Sequence, residues 1–211
     1  MKNYLFDFDG TLVDSMPTFA SVMTRILDEN GINYPSDIVK IITPLGYRGT
    51  AKYFRETLGI TLSEEEALDF MLKYMQDEYT HRIPAKDGVV ETLFELKKRG
   101  ASLNILTASP HDVLDPCLKR LGIYEIFDNV WSCNDFETTK ADPNIYVMAA
   151  AKIGVGVGEV AFLDDNLNAD KTAKIAGMRV IGVYDDSSSD YVDEMKAVCD
   201  GYIYNFKELL N

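Results

Sequence analysis

The sequence predicts an α/β fold: a doubly wound, mostly parallel sheet with a small all-α domain inserted after the first strand. Three observations predict it. Short, continuous apolar runs recur along the chain, the pattern of strands buried on both faces. Helical patterns separate them, and strand–helix alternation builds parallel sheets. The alternation fails in one place, between about residues 15 and 85, where helical patterns follow one another with no strand between them.

The first strand is expected at YLFDF (4–8), broken by Gly10-Thr11. Helical patterns follow at 16–30, 36–43, 48–58 and 63–79. Asp14-Ser15 is placed to cap the first of these, with Met16-Pro17 opening it. Ser63 and Glu66 read as a capping box for the last. A structureless loop of that length is implausible, so residues 15–85 are expected to be a helical domain, and residues 1–14 with 86–211 the α/β core. The core continues with a helix over 87–99 stopped by Gly100, then strand SLNILT (102–107) and a helix over 110–121. Next come strand NVWSC (129–133), a helix over 143–154, strand VAFLD (160–164) and a helix over 168–177. Strand RVIGVY (179–184), a helix over 189–199 and strand GYIYN (201–205) complete it. DDSSSD (185–190) reads as a solvated loop leading into the last helix.

Composition narrows the function. The 211 residues are 46% hydrophobic and 26% charged, ordinary for a globular protein. A net charge of −13 argues against a phosphate-binding nucleic-acid surface. It also means that an anionic substrate needs a local cation to reverse the field at its site. Cys117, Cys133 and Cys199 show no metal or disulfide spacing, and His81 and His111 lie far apart. No apolar run approaches the ~20 residues of a membrane span, and no leader pattern precedes Asp7. The expected location is cytoplasmic.

Ligands of open parallel sheets sit at the carboxyl ends of the strands. Asp7 and Asp9 follow the first strand there, and Thr107-Ala108-Ser109 follows the second. Lys140 lies in the loop after the third, and Asp164-Asp165-Asn166 closes the fourth. Four acids, one lysine and two hydroxyls are thus expected on one edge. Clustered carboxylates repel, and a hard cation relieves them. Oxygen-only ligands suit Mg²⁺, which shares its shell with substrate phosphates. Lys140, the Thr107 hydroxyl and the amides after Thr107 are then placed to hold phosphate oxygens.

DFDGTLVDS (7–15), LTAS (106–109), Lys140 in KADPNIY and LDDNLNADKTAKIAGM (163–178) resemble, in order, the four motifs of the haloacid dehalogenase (HAD) superfamily. The helical insert resembles the cap of its phosphoglycolate phosphatase and β-phosphoglucomutase branch. The resemblance implies a Rossmann-like core and a Mg²⁺-dependent phosphatase. Asp7 is implied as nucleophile and Asp9 as acid/base, with the Asp9 carbonyl, Asp7 and Asp165 binding the metal. Asp164 is implied either as a further ligand or as support for one. Gly10 lets the chain turn after the two acids, and the implied substrate contacts are Gly10, Ala108, Ser109 and Arg48. Ser109 either touches phosphate or serves as N-cap before Pro110. The implied partner is a small phosphorylated metabolite, with the protein a monomer or weak homo-oligomer.

The chain departs from the family pattern at Ala108, where Asn is frequent, and at Ala141, where Pro is frequent. It departs again at Ala169, where a second acid is common; Asp170 beside it either belongs to the site or, the favoured reading, is a helix N-terminal charge. Arg48, flanked by Gly46 and Gly49, is expected in a loop between helices, either gripping a substrate carboxylate or simply solvated. Phe54, Phe70, Tyr74 and Tyr79 are expected as core of the helical domain. Asp9 argues against dehalogenase and phosphonate-cleaving branches, which lack that acid, and Phe19 against the mutase type, which carries His there. A small phosphomonoester is the implied substrate, with pyrophosphate or a nucleotide as alternatives. From another class, a binding protein on a silent scaffold is opposed by the intact Asp7, Asp9, Lys140 and Asp165.

Overall fold

A computed structural model of the chain describes residues 2–42 and 45–211. By its contacts the chain forms two compact units, residues 1–14 with 84–211, and residues 15–83.

The larger unit is built on six parallel strands in the order β3-β2-β1-β4-β5-β6. They are β1 (Asn3–Phe6), β2 (Ser102–Thr107), β3 (Asn129–Ser132), β4 (Val160–Asp164), β5 (Arg179–Val183) and β6 (Gly201–Ile203). β1 is central, and Leu5 and Phe6 have no exposed surface. That is why the run is apolar throughout rather than alternating. Phe6 pairs with Ile105 on one side and Leu163 on the other. Asp7, which follows β1, therefore comes to the same edge as Thr107 and Asp164, the last residues of β2 and β4.

The smaller unit contains α1 (Met16–Glu29), α2 (Ile38–Ile42), α3 (Gly46–Glu56) and α4 (Glu64–His81). The Ser63–Glu66 capping box forms in both directions, at 2.8 and 3.1 Å. Ser15 occupies the N-cap of α1, but in αR backbone and without a capping bond to the helix amides. Phe54 and Tyr79 are buried, while Phe70 and Tyr74 stack at 4.5 Å. Arg48 lies not in a loop but in the first turn of α3, exposed. Gly49 belongs to that helix because Leu45 packs over it: a Cβ there would stand 2.9 Å from the Leu45 Cβ. The preceding Thr43 and Pro44 lie outside the described residues.

Between the strands of the larger unit run α5 (Val89–Lys98), α6 (His111–Arg120), α7 (Asn144–Ile153), α8 (Leu167–Ala176) and α9 (Val192–Val198). Where the chain leaves and re-enters this unit, the two connecting segments pair. Asp14 N donates to Pro84 O at 3.0 Å, and Lys86 N to Leu12 O at 3.0 Å. In the DDSSSD stretch Asp186, Ser187, Ser189 and Asp190 are exposed, but the stretch is a 3₁₀ helix over Asp186–Tyr191 and its cap, Asp185, is buried.

Candidate active site

β1 ends at Phe6, yet the Asp7 amide still donates to Leu163 O at 2.8 Å. This carries Asp7 to the rim with its backbone held by β4. Carboxylate oxygens of Asp7, Asp164 and Asp165 lie within 4.8 Å of one another, and all three residues are buried. Lys140 Nζ donates to Asp7 Oδ1, and to Asp164 Oδ2 at 2.8 Å. Three carboxylates thus share one ammonium.

Electrostatics follow from that count. Burial pushes the Asp7 carboxyl up to about 8; Asp164 and Asp9 add to the shift, and Lys140 opposes it. Burial also raises Asp165, with Asp164, Asp7 and Asp185 reinforcing it. Burial alone would pull Lys140 down, but Asp164 and Asp7 outweigh it and hold the ammonium charged. The donor set fits a divalent cation: oxygen ligands, closely spaced, carrying excess negative charge.

The neighbouring turn completes the rim. Gly10 has φ +72°, and a Cβ there would meet Asp165 Oδ2 at 2.4 Å. Only glycine permits both that backbone and that approach. Thr11 Oγ1 donates to Asp165 Oδ1 at 3.0 Å. Thr107 Oγ1 accepts from Ser109 N at 3.0 Å, which leaves its own proton to donate. Ser109 is not the N-cap of α6, a place taken by Pro110. Its Oγ donates instead to Asp9 Oδ2 at 2.5 Å. Asp165 is not a helix cap either: Asn166 caps α8, accepting from Asn168 N and Ala169 N.

Lys140 therefore bonds Asp7 and Asp164, Asp165 lies with them in one carboxylate cluster, and Asp9 is joined to Ser109. Ala108 is exposed on the same loop. Arg48 belongs to the other unit. Asp170 lies in the first turn of α8, as a helix N-terminal charge would, but it is fully buried, accepts from Cys199 Sγ at 3.1 Å and is not one of the three clustered carboxylates. The sequence reading missed Thr11, Lys86 and Asp185. Thr11 was recoverable, since a hydroxyl directly after the turn glycine can reach back to a strand end. Lys86 carried no local signal.

An α/β enzyme with a cation-demanding acidic rim at the carboxyl edge of a parallel sheet is the class that fold and site define. Comparison with known proteins narrows it. Residues 4–183 match the haloacid dehalogenase-like hydrolase family, so the chain belongs to that family, and it is a phosphoric monoester hydrolase within it. Pyrophosphatase PpaX of Bacillus velezensis is 29% identical over 182 residues, covering 85% of this chain and 81% of its own. A phosphoglycolate phosphatase of Colwellia psychrerythraea is 29% identical over 188 residues, covering 85% and 82%. The crystal structure of CbbY from Rhodobacter sphaeroides in complex with phosphate superposes with a TM-score of 0.82. Its identity is 22%, over 99% of this chain and 96% of that one, a likeness of fold. No helix among the described residues is long and apolar enough to cross a membrane.

Proposed function

We propose that the protein hydrolyses a small phosphomonoester, phosphoglycolate-like or a sugar phosphate, through an aspartyl-phosphate on Asp7 and with Mg²⁺ as cofactor. The observation that carries this is the meeting of three buried carboxylates with one ammonium at the end of β1. Asp7, Asp165, Asp164 and the Asp9 carbonyl would hold Mg²⁺, which supplies charge neutralisation for the phosphoryl group. An Asp7 oxygen attacks phosphorus while the bond to the leaving oxygen breaks. The Asp9 carboxyl gives its proton to that oxygen, then takes one from the water that cleaves the acyl phosphate. Ser109, donating to Asp9 Oδ2, fixes the orientation of that carboxyl. The remaining N–H of Lys140, the Thr107 hydroxyl and the backbone at Ala108 face the phosphoryl oxygens. Arg48, on the helical unit, is a candidate grip for a substrate carboxylate.

The test is phosphate release from 2-phosphoglycolate, sugar phosphates, nucleoside monophosphates and pyrophosphate. It is run with Mg²⁺ and with EDTA, on wild type and Asp7→Asn. Release that needs both Mg²⁺ and Asp7 supports the proposal. The preferred compound ranks phosphomonoesters against the pyrophosphatase and nucleotidase alternatives. Release undiminished in Asp7→Asn would overturn the nucleophile assignment, and no release at all would favour a silent binding scaffold.

A further inference from the structure

Lys86 takes no part in the steps above, yet it is among the most completely bonded cations in the larger unit. Its Nζ donates to Gly10 O at 2.6 Å, Tyr184 O at 2.6 Å and Asp185 Oδ2 at 2.9 Å. An ammonium has three N–H donors, and here all three are taken. The side chain is 19% exposed and the Asp185 side chain 6%. The three acceptors come from two places: the turn after β1, and the end of β5 with the start of its 3₁₀ helix. Lys86 itself sits where the chain re-enters the larger unit, its own amide bonded to Leu12 O. We infer that Lys86 is a positioning residue: it fixes the Gly10–Thr11 peptide and, through it, the metal-ligand carboxylate of Asp165.

The path is short and made of direct contacts. Lys86 holds the Gly10 carbonyl, which belongs to the same rigid peptide as the Thr11 amide. Thr11 Oγ1 holds Asp165 Oδ1, and Gly10 itself lies against that carboxylate. A turned peptide would move the Thr11 hydroxyl off Asp165 and bring the Gly10 backbone into it. Groups that orient a ligand carboxylate in this way set metal affinity, by roughly 10- to 100-fold when removed.

This inference rests on the metal-dependent reading, so its test has an arm that does not. Lys86→Met alone would strand Asp185 without its counter-ion, so the informative pair is Lys86→Met/Asp185→Asn against Asp185→Asn. Amide exchange is followed by mass spectrometry over residues 8–13, and Mg²⁺ affinity by calorimetry. We expect the double variant to exchange that segment about tenfold faster than the single one and to bind Mg²⁺ about tenfold more weakly. Exchange and affinity matching the single variant would reduce Lys86 to a counter-ion and overturn the inference. Faster exchange with unchanged Mg²⁺ affinity would overturn it too, since the turn would then not place Asp165. Should wild type bind no Mg²⁺, the metal reading fails by itself, and the exchange arm alone decides whether Lys86 holds the turn. If the double variant does not fold, Lys86→Arg serves in both measurements. It keeps the charge but not the three-way donor set, and wild-type behaviour in it overturns the inference.

Discussion

Lys140 and Lys86 are both largely buried lysines at the carboxyl edge of one sheet, and they do opposite things. Around Lys140 stand three carboxylates, Asp7, Asp164 and Asp165, and the ammonium bonds two of them. Around Lys86 stand one carboxylate and two backbone carbonyls, and every donor is used. The first neighbourhood is short of positive charge; the second is balanced. The difference teaches how to separate chemistry from architecture in a site of this kind. Excess buried charge is retained where a cation and a reacting group relieve it, and balanced charge is where the chain is being held in place.

The largest effect expected from breaking this contrast is on the deficit side. Asp7→Asn keeps shape and removes the nucleophile, so phosphate release should fall by roughly 10³-fold or more, read as initial rate at saturating Mg²⁺. A rate within tenfold of wild type would show that the charge deficit does not mark the reacting group.

Next comes a direct comparison of the two lysines. Lys140→Met leaves three carboxylates that Mg²⁺ can still compensate, so its melting temperature should rise steeply on adding Mg²⁺ while turnover stays about 10²-fold down. Lys86→Met strands Asp185, at a cost of about 3 kcal/mol, and among the described residues Asp185 belongs to no carboxylate cluster in which Mg²⁺ could replace the lysine. Thermal melts of both variants across a Mg²⁺ series check this. Equal Mg²⁺ responses would erase the distinction drawn here.

Gly10→Ala sharpens the point at the seam between the two lysines. The added Cβ meets Asp165 at 2.4 Å on a backbone of φ +72°, so both strain and displacement of the carboxylate are expected. Destabilisation of about 1–2 kcal/mol should accompany a clear loss of Mg²⁺ affinity by calorimetry. A variant that melts lower but binds Mg²⁺ normally would separate the turn from the metal site.

The deficit was legible in the sequence because its residues sit at strand ends, where position alone assigns them to one edge. Asp7, Asp164 and Thr107 close continuous apolar runs in the sequence, and the same runs point to the parallel α/β class. The balanced side was not legible. Lys86 lies on a connecting segment whose partners, Gly10, Tyr184 and Asp185, are 76 to 99 residues away. No local pattern announces such pairs. Asp185 looked solvated because serines and aspartates surround it, yet a single buried lysine reverses that reading. Asp170 read as a helix-end charge and does lie in the first turn of α8, but nothing in the sequence signals that Cys199 packs over it. Arg48 looked like a loop residue because its flanking glycines read as punctuation, whereas one of them makes room for Leu45 within a helix.

The smallest expected effect concerns a third cation at the same edge, His111. It begins α6, two residues after Ser109, and donates from Nδ1 to Asp115 Oδ1 at 2.8 Å and from Nε2 to Asp135 Oδ2 at 2.9 Å. Asp135 also accepts from Ser132 N at the end of β3. The imidazole thus ties the loop carrying Thr107 and Ser109 to the segment leading to Lys140. Burial would lower its pKa, but the bonds to Asp115 and Asp135 outweigh that and raise it. A folded-state pKa above the unfolded one means stability that is fully present below the unfolded value, near 6.5, and lost as pH rises through the folded value. The melting temperature of wild type should therefore exceed that of His111→Gln most at about pH 6, and the gap should narrow steadily on the alkaline side. His111 is partly exposed, so the gap is small and salt-sensitive. With two carboxylates on one imidazolium it resembles Lys140 in count, yet neither acid belongs to the buried cluster. A pH-dependent gap without a parallel shift in the Mg²⁺ midpoint would make His111 a tie between segments of the rim and nothing more. A Mg²⁺ midpoint that moved with the gap would place His111 with Lys86, among the cations that position the metal site from outside it.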